Sequence, residues 1–530
     1  MSGRLDPVAL QVLSGALRAT CEEMGATLIR SSHSANIKER RDCSTALFDV
    51  AGELVMQAEH IPVHLGSMPD AVAAVLAEEQ RPGEQWILND PYRGGTHLPD
   101  VTLIAPLFEA GELLGFAAAR AHHADIGGET PGGMPAGSTR LEQEGVVIEP
   151  ARASEELLRS LVERMRNPAE RLADLRAQRA ANLAGERRVA ELVERIGAAG
   201  LRAGMGEILD YSERRARAKL ALLPDGDYEA EDVLEGGADG STDIRLRVRA
   251  TLAGEELELD FSGTDAQVEG NLNCPLAVTK SAAFFAVRVL TDPDAPASAG
   301  AHRPLAVRAP AGCLLNARAP AAVAAGNVET SSRIADLVIA ALAGATAAPA
   351  QGQGTMNNLT LAGEAGEAGE GFTLYETVGG GQGACPDADG PSAVHVAMSN
   401  TLNTPVEALE SEFPLRVREL AVRRESGGAG RQRGGDGMVR ELEALEPMRF
   451  TLITERRRHA PRGRDRGTDG APGRNLLNGR ELPAKASGQL RPGDRLRLET
   501  PGGGGHGAAR ERVMMPRNMD HKVGIFGSDP

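Results

Sequence analysis

The chain has 530 residues, which is long enough for two or three packed domains and excludes a single small module. Hydrophobic residues make up 41% and charged residues 25%, a globular composition that excludes a disordered or fibrous protein. The formal net charge of -16 disfavours nucleic acid and acidic membrane surfaces as partners, because both attract Lys and Arg. With 63 Gly and only 3% aromatic residues, small side chains and tight turns must carry much of the packing.

The five cysteines are scattered and form no CxxC pair. Neither a disulfide framework nor a thiolate zinc site is therefore indicated. No stretch approaches the roughly 18 consecutive apolar residues of a membrane span, and the N-terminus lacks a charged region followed by an apolar core. We therefore expect a cytoplasmic protein.

The first elements in the chain are predicted from periodicity and turn residues. Apolar residues over 8–30 recur at helical spacing after Pro7, which predicts an amphipathic helix. Residues 44–57 contain two short runs typical of β-strands, separated by an Ala-Gly turn, and predict a β-hairpin. A second hairpin is predicted over 101–125 around the turn at 109–111, which places two adjacent histidines at the end of a strand.

Further along, the charged text of 154–196 predicts a long helical segment, and 225–264 reads as strands separated by Gly turns. A helix is predicted over 280–290. The AGE repeat at 362–371 indicates an exposed loop. The fold class that follows is a multi-domain α/β (mixed α+β) protein with mixed sheets and hairpins.

We predict three domains. The first spans residues 1–200 and holds a His/Asp cluster and a helical segment, 201–300 form a strand-rich domain, and 301–530 form a Gly-rich α/β domain. A run of arginines from Arg456 to Arg466 is typical of a solvated face, with an intersubunit or anionic-ligand surface as the alternative.

The segment 121–127, AHHADIG, is the first candidate for chemistry. If it is extended, side chains two apart share a face, so His123 and Asp125 point the same way and His122 points the opposite way. Such a pair offers two ligands to a first-row metal. The alternative is a pair of histidines on a half-exposed strand end.

Two other segments add imidazole and carboxylate groups. The first is NDPYRGGTHLPD at 89–100, where His97 and Asp100 follow a Gly-rich turn, and a well-capped loop is the alternative. The second is IKERRDC at 37–43, where Glu39 and Asp42 precede an apolar strand, and a surface ion-pair network is the alternative. Together these groups suit Mn, Zn or Fe better than Ca or Mg.

Motifs for nucleotide binding and for serine acyl transfer are absent from the sequence. It contains no GxxxxGK[ST], no GxGxxG between a strand and a helix, and no GxSxG. The Gly-rich runs at 379–383, 426–437 and 501–507 therefore indicate tight turns or close packing.

These motifs occur in an order that is similar to a known family. The strings are IKERRDCSTALFD, HIPVHLGSMP, NDPYRGGTHLPDVTLIAPLF, AHHADIGGETPG, LRAQRAANLAGERRV, GNVETSSRIAD, TLNTPVEALESEFPLRV, ESGGAGRQRGGDG and TPGGGGHG. Over nearly the whole chain they resemble the hydantoinase B/oxoprolinase family. The sequence departs from that pattern at Ala121, where the family usually has Gly, and over 459–473.

The resemblance implies the hydrolytic subunit of a two-component, ATP-dependent amidohydrolase. A hydantoinase A-type partner would bind ATP and activate a cyclic amide such as hydantoin, N-methylhydantoin or 5-oxoproline, and this chain would complete the hydrolysis. A heterotetramer with two copies of each chain is the expected assembly. The alternatives are a subunit of an ATP-dependent ketone carboxylase and a scaffold without catalytic function.

The resemblance also implies a divalent first-row metal, Mn, Zn or Fe. The proposed ligands are His123, Asp125, Asp42 and His97. The candidate catalytic residues are His122, His97, Asp100 and Glu39.

Overall fold

The structure is a computed structural model, and it describes residues 6–59, 61–237, 240–363 and 371–509. Within these ranges the chain forms helices and four β-sheets, which confirms the multi-domain α/β class. Most of the predicted AGE loop, residues 364–370, lies outside the described residues.

The helices agree with the three predicted helical segments, and the long one continues beyond its predicted end. In the described ranges, none combines the length and apolar character needed to cross a bilayer. The α-helices are α1 (Pro7–Ser31), α2 (Ala35–Lys38), α3 (Met68–Leu76), α4 (Glu155–Val162), α5 (Pro168–Leu220), α6 (Leu276–Thr291), α7 (Ala299–His302), α8 (Ser331–Leu342) and α9 (Val406–Glu412).

The first sheet contains both predicted hairpins, and every pairing in it is antiparallel. Its strands follow one another in the order β2-β1-β5-β4-β3-β6. Asp100, the first residue of one hairpin strand, lies directly opposite His122, the last residue of the other. The strands are β1 (Cys43–Asp49), β2 (Leu54–Glu59), β3 (Trp86–Leu88), β4 (Asp100–Glu109), β5 (Glu112–His122) and β6 (Ala151–Arg152).

The remaining strands form three smaller sheets. They are β7 (Gly226–Gly236), β8 (Thr242–Ala253), β9 (Glu256–Asp260), β10 (Leu305–Arg308), β11 (Asn358–Gly363), β12 (Phe372–Glu376), β13 (Leu415–Arg423), β14 (Gly437–Ala444), β15 (Met448–Ile453), β16 (Arg474–Leu477), β17 (Arg480–Leu482), β18 (Lys485–Leu490) and β19 (Arg495–Glu499). The strand orders are β10-β9-β8-β7, β12-β11-β15-β18 and β13-β14-β19-β16-β17. The pair β9 and β10 is parallel.

Helix α5 joins regions that the sequence assigns to separate domains. It packs against α1 and the first sheet, and it runs through the predicted boundary at 200/201 with a change of direction at Gly197. The largest apolar cluster combines the second sheet with α6 and α8, and it reaches from Ile61 to Ile453. The division into three domains stays a prediction.

The arginine run is solvated only in part, with Arg456 as the exception to the exposed face that its composition predicts. Arg456 is fully buried and donates to the carboxylates of Asp232 and Asp336. Arg462 and Arg466, by contrast, are exposed. A buried guanidinium group requires hydrogen-bond acceptors, and here they include carboxylates from a strand and a helix far away in sequence.

The Gly-rich runs pack backbone against backbone. A Cβ atom at Gly503 would overlap the carbonyl oxygen of Gln382, and one at Gly502 would overlap that of Ser426. The amide of Gly503 donates to the carbonyl of Gly435 at 2.9 Å. These glycines are therefore required by close approach of three chain segments, as the sequence suggests.

We expect Gly503→Ala to lower the free energy of unfolding by about 1–3 kcal/mol, because the added methyl group must displace backbone. Thermal and denaturant unfolding would measure the change. The matched control is Gly206→Ala within α5, where a Cβ atom meets nothing within 4 Å. There Ala should be neutral or stabilising, because Ala favours helix over Gly. Equal stability of the two variants would contradict the packing role of Gly503.

Candidate functional site

The candidate site is centred on the carboxylate of Asp100, around which three histidines gather. His97 Nε2 lies 3.1 Å from Asp100 Oδ1, and His122 Nδ1 lies 3.3 Å from the same oxygen. His64 Nε2 lies 3.4 Å from Asp100 Oδ2. All four side chains are buried. We call these four residues the Asp100 cluster.

Regular structure places each member of the Asp100 cluster. The β4–β5 register places His122 opposite Asp100, and the turn before β4 places His97 beside the same carboxylate. His64 ends a short 3₁₀ helix that follows β2, and its Nδ1 lies 2.9 Å from Ser44 Oγ on β1. The site is therefore built at the ends of two central strands of a sheet, where side-chain positions are well determined.

Polar neighbours and imidazoles keep Asp100 charged. Its Oδ2 accepts hydrogen bonds from Thr96 Oγ1 at 2.7 Å and from Asn327 Nδ2 at 3.2 Å. Burial alone would raise the pKa of Asp100, but the surrounding histidines, led by His97, hold it well below its usual range. Burial likewise disfavours a charged His97, yet Asp100 outweighs burial and raises the pKa of that imidazole. The cluster therefore contains a carboxylate anion in an apolar interior.

His122 behaves differently from His97. Burial lowers its pKa to about 4, although Asp100 opposes the shift, so its imidazole is neutral near pH 7. Its ring stacks on Tyr375 at a centroid distance of 4.4 Å and an angle of 11°. Its carbonyl accepts from Asn36 Nδ2 at 2.6 Å. His122 is therefore a neutral imidazole with a fixed ring, and its Nε2 atom has no hydrogen-bond partner.

The cluster opens on a small cavity. Its volume is about 20 Å³, which is room for roughly one water molecule. Burial raises the pKa of Asp42, one of its lining residues, to about 7, against the opposing charge of Arg40. The cavity is lined by Asp42, Ile61, Val63, His64, Asp100, His122, Asn327, Val328, Met356, Tyr375, Thr377, Ser399 and Thr401.

Three residues of the cluster have the arrangement of a metal site. One nitrogen each from His97 and His122 and one oxygen of Asp100 lie within 4.8 Å of one another, and this is the one such group of three found among the described residues. His122 Nε2 is buried without a hydrogen-bond partner, and His97 Nε2 contacts only Asp100 among the polar groups of the cluster. A borderline nitrogen and oxygen donor set of this kind fits a divalent first-row metal.

His123 and Asp125, predicted as paired ligands, do not join this group. The strand β5 ends at His122, so the alternation of faces stops before these residues. His123 instead contacts α5, with Nε2 2.9 Å from Gln178 Oε1. The prediction that the two side chains share one strand face is corrected, because the chain has already left the sheet.

Asp125 serves the backbone of its own turn. Its Oδ1 accepts from the amides of Gly127 at 2.8 Å and Arg166 at 3.0 Å, and its Oδ2 accepts from the amide of Gly132 at 2.8 Å. These bonds occupy both carboxylate oxygens. The side chain holds a loop together and does not face the cavity.

Glu39 also lies away from the site. It follows the last residue of α2 and is half-buried near Glu412, whose pKa is raised by burial and by Glu39. The next residue, Arg40, is fully buried instead. The structure therefore brings together His97, Asp100, His122 and Asp42 of the predicted residues, and it leaves Glu39, His123 and Asp125 outside.

Sequence reasoning did not select His64, Asn327 or Tyr375 for the site. The strings HIPVHLGSMP and GNVETSSRIAD contain the first two and carry family resemblance, but their distance from 97–122 hides the contact. Asn327 lies in a π-helical turn, Gly326–Thr330, directly before α8. Such turns are frequent at functional sites, but they are not visible in a single sequence.

We expect Asp125→Ala to destabilise the fold by about 1–3 kcal/mol, because three buried or half-buried amides lose their acceptor. Denaturant unfolding would measure this. The control is Asp387→Ala at an exposed position, which should change stability by less than about 0.5 kcal/mol. Unchanged stability of the Asp125 variant would contradict its role in the loop.

Two relatives of this chain have names that state an activity. The chain is 37% identical to the 5-oxoprolinase of Dictyostelium discoideum over 524 residues, which cover 95% of this chain and 40% of that protein. It is 32% identical to a protein of a Pseudomonas strain that is named as one subunit of a D-/L-hydantoinase, over 468 residues that cover 83% of this chain and 78% of that one. The chain thus spans about 40% of the length of the longer relative.

Two solved structures share the fold. The ATP-dependent caprolactamase of Pseudomonas jessenii superposes with a TM-score of 0.88 at 28% identity, over 96% of this chain and 92% of that one. Nucleotide-free acetone carboxylase gives a TM-score of 0.83 at 18% identity, over 95% and 76%. At that identity the second likeness shows the fold alone.

The family profile described as hydantoinase B/oxoprolinase matches residues 6–509. This range includes every member of the Asp100 cluster and the whole described fold. The chain belongs to the hydantoinase B/oxoprolinase family.

Proposed function

We propose that this chain is the hydrolytic subunit of an ATP-dependent system that opens a cyclic amide, with hydantoin, N-methylhydantoin and 5-oxoproline as the candidate substrates. The observation that carries the proposal is the Asp100 cluster, a buried carboxylate anion in contact with three imidazoles, two of which line a small cavity with it. Named relatives of the family, a 5-oxoprolinase and a hydantoinase subunit, support the substrate class.

A second chain is proposed to use the ATP. The match leaves more than half of the Dictyostelium 5-oxoprolinase uncovered, whereas the hydantoinase relative is named as a subunit and is covered over 78% of its length. This difference supports a partner of the hydantoinase A type. Two copies of each chain in a cytoplasmic heterotetramer are the proposed assembly, which light scattering on the co-expressed pair would measure.

We propose a divalent first-row metal, Mn, Zn or Fe, held by His97, Asp100 and His122. When bound, such an ion supplies Lewis-acid chemistry, which activates water and polarises an amide carbonyl. The partnerless, buried Nε2 atom of His122 supports this assignment. Asp42 and His64 are the further donors that line the same cavity.

The protein side chains have separate tasks in this proposal. Burial keeps His122 neutral, and stacking on Tyr375 fixes its ring, so its lone pair is available to the metal near pH 7. Asp42, whose pKa burial raises to about 7, can hold or release a proton at that pH. The cavity admits about one water molecule, so binding of a cyclic amide there requires the cavity to widen.

The two alternatives differ from this proposal in testable ways. The likeness to acetone carboxylase concerns the fold alone, and no described side chain favours carboxylation over hydrolysis. A scaffold without catalytic function would leave complex activity intact when the Asp100 cluster is altered.

We expect the purified chain to bind about one equivalent of a first-row metal, measured by elemental analysis and by titration with Mn²⁺ or Zn²⁺. His122→Ala should weaken binding more than about 100-fold, because it removes a ligand. Its neighbour supplies the matched control, since His123 bonds to Gln178 and His123→Ala should keep the metal. Loss of metal in the His123 variant alone would overturn the assignment.

Ring opening should require the partner and ATP. We expect the reconstituted pair to open at least one of the three candidate amides, or caprolactam, and the isolated chain to open none. His122→Ala should lower kcat by at least about 100-fold, because it removes a ligand of the proposed metal. His459→Ala, at a half-buried ion pair with Asp243 outside the cavity, is the control. Turnover by the isolated chain without ATP would refute the two-component proposal.

A further inference from the structure

A continuous chain of hydrogen bonds connects Arg40 to Ser399 along the cavity. Arg40 Nη2 donates to Thr377 Oγ1 at 2.6 Å and to Thr401 Oγ1 at 3.2 Å, and these two hydroxyls lie 2.7 Å apart. Thr401 Oγ1 lies 3.2 Å from His395 Nε2, and His395 Nδ1 lies 2.6 Å from Ser399 Oγ. Thr377, Ser399 and Thr401 all line the cavity beside Asp42, Asp100 and His122.

Arg40 supplies the fixed end of this chain. It is fully buried, and within the described residues its hydrogen-bond acceptors are all neutral, namely Asn36, the carbonyl of Tyr375 and the two threonines. A guanidinium group has donors and no acceptor. The threonine oxygens must therefore turn lone pairs toward Arg40 and direct their hydrogens elsewhere.

The number of hydrogens determines which donor this chain of hydrogen bonds presents to the cavity. Three bonds join Thr377, Thr401, His395 and Ser399. Three hydroxyls and one neutral imidazole carry four hydrogens for those three bonds. Because Thr401 Oγ1 already accepts from Arg40, it can accept only one further hydrogen bond. The hydroxyl hydrogen that is left over therefore belongs either to Ser399 at one end or to Thr377 at the other.

The charge on Arg40 decides between the two ends. Dipoles near a buried cation orient with their positive ends away from it, since electrostatic interactions are strong in a low-dielectric interior. In that orientation Thr377 donates to Thr401, and Thr401 donates to His395 Nε2. His395 Nδ1–H then donates to Ser399 Oγ. The hydroxyl hydrogen of Ser399 is then the one that remains.

We propose that Ser399 is an oxyanion-stabilising donor, oriented by Arg40 through Thr401 and His395, that faces the substrate oxygen on which negative charge develops. The proposal rests on the proposed amide hydrolysis for its substrate. Ser399 keeps its proton and forms no covalent bond. His395 is a positioning residue in this scheme, because it touches Ser399 and not the reacting atoms.

A serine beside a histidine could also be a nucleophile with its base, and the same contacts argue against this. A base would need an unprotonated Nδ1 facing Ser399, which is the orientation that the charge of Arg40 disfavours. Burial, assisted by Arg40, lowers the pKa of His395 to about 3, so its imidazole is a weak proton acceptor. Ser399 also lies outside any GxSxG motif.

The segment that carries Ser399 has an unusual backbone. Ala393 and Ala397 have φ values of 54° and 55°, in the left-handed region that alanine rarely adopts. Leu402, just after Thr401, donates its amide to the carbonyl of Arg40 at 3.1 Å. Strained residues of this kind persist where surrounding contacts determine the conformation, and they cluster at functional sites.

Kinetics of the reconstituted pair tests the donor role. Ser399→Ala should lower kcat about 100- to 1,000-fold, as expected for one lost oxyanion donor, while its metal content stays at the wild-type level. His395→Ala should lower kcat, and His395→Asn should recover part of it because the Asn amide can donate from the position of Nδ1–H. The matched control is Ser411→Ala on α9, whose exposed hydroxyl bonds to the carbonyl of Ala408. An unchanged kcat in the Ser399 variant would overturn the proposal.

Two measurements on the isolated chain do not depend on activity, so they separate this proposal from the proposed function. Nitrogen-15 NMR of labelled histidine should show His395 protonated at Nδ1, and Thr401→Val should disturb that tautomer. Diisopropyl fluorophosphate should leave Ser399 unlabelled by mass spectrometry. A proton on Nε2, or covalent labelling of Ser399, would overturn the donor assignment even if ring opening is confirmed.

Discussion

The site depends on the antiparallel pairing that sets Asp100 of β4 against His122 of β5. This register brings an ionised carboxylate and an imidazole together in the interior, where an unpaired charge would be strongly destabilising. A slip of one residue in either strand would turn the side chains of that strand to the opposite face of the sheet and separate the pair. The other members of the cluster then complete an environment whose geometry the sheet has already determined.

The negative charge of the site is balanced by two buried cations. Two buried guanidinium groups, Arg40 and Arg120, lie near Asp42 and Asp100, and in the described structure neither forms an ion pair. Arg120 donates to Thr102 Oγ1 and Ser67 Oγ, just as Arg40 donates to threonines. Buried cations with neutral partners orient the hydroxyls around them. The site therefore contains polarised donors as well as a carboxylate and imidazoles.

The rest of the fold brings these groups together without contributing chemistry of its own. Helix α5 supports the first sheet, and Gln178 on it contacts His123 and the carbonyls of Val101 and Ala119. The Gly-rich runs allow three segments of the C-terminal half to pack backbone against backbone, which no larger residue permits. The third sheet then places Tyr375 and Thr377 against His122 and the cavity.

Local pattern was sufficient for much of the fold. Periodicity predicted α1, the two N-terminal hairpins, α5 in part and α6, because each depends on neighbouring residues and turns. Local pattern also identified His97, Asp100, His122 and Asp42 as candidate site residues, because they lie beside recognisable strands. It assigned His123 and Asp125 wrongly to a shared face, because strand alternation holds only while the strand continues, and β5 ends at His122.

The sequence by itself determined the family, the class of fold and the segments that carry the site. Only the tertiary structure decided which side chains meet there. His64, Asn327, Tyr375 and the chain from Arg40 to Ser399 come from segments up to hundreds of residues apart, and no local pattern encodes such contacts. The burial of Arg456 has the same origin, since its partners Asp232 and Asp336 lie on a different strand and helix. Whether a charge is exposed or buried depends on those long-range partners, and they exist only in the folded chain.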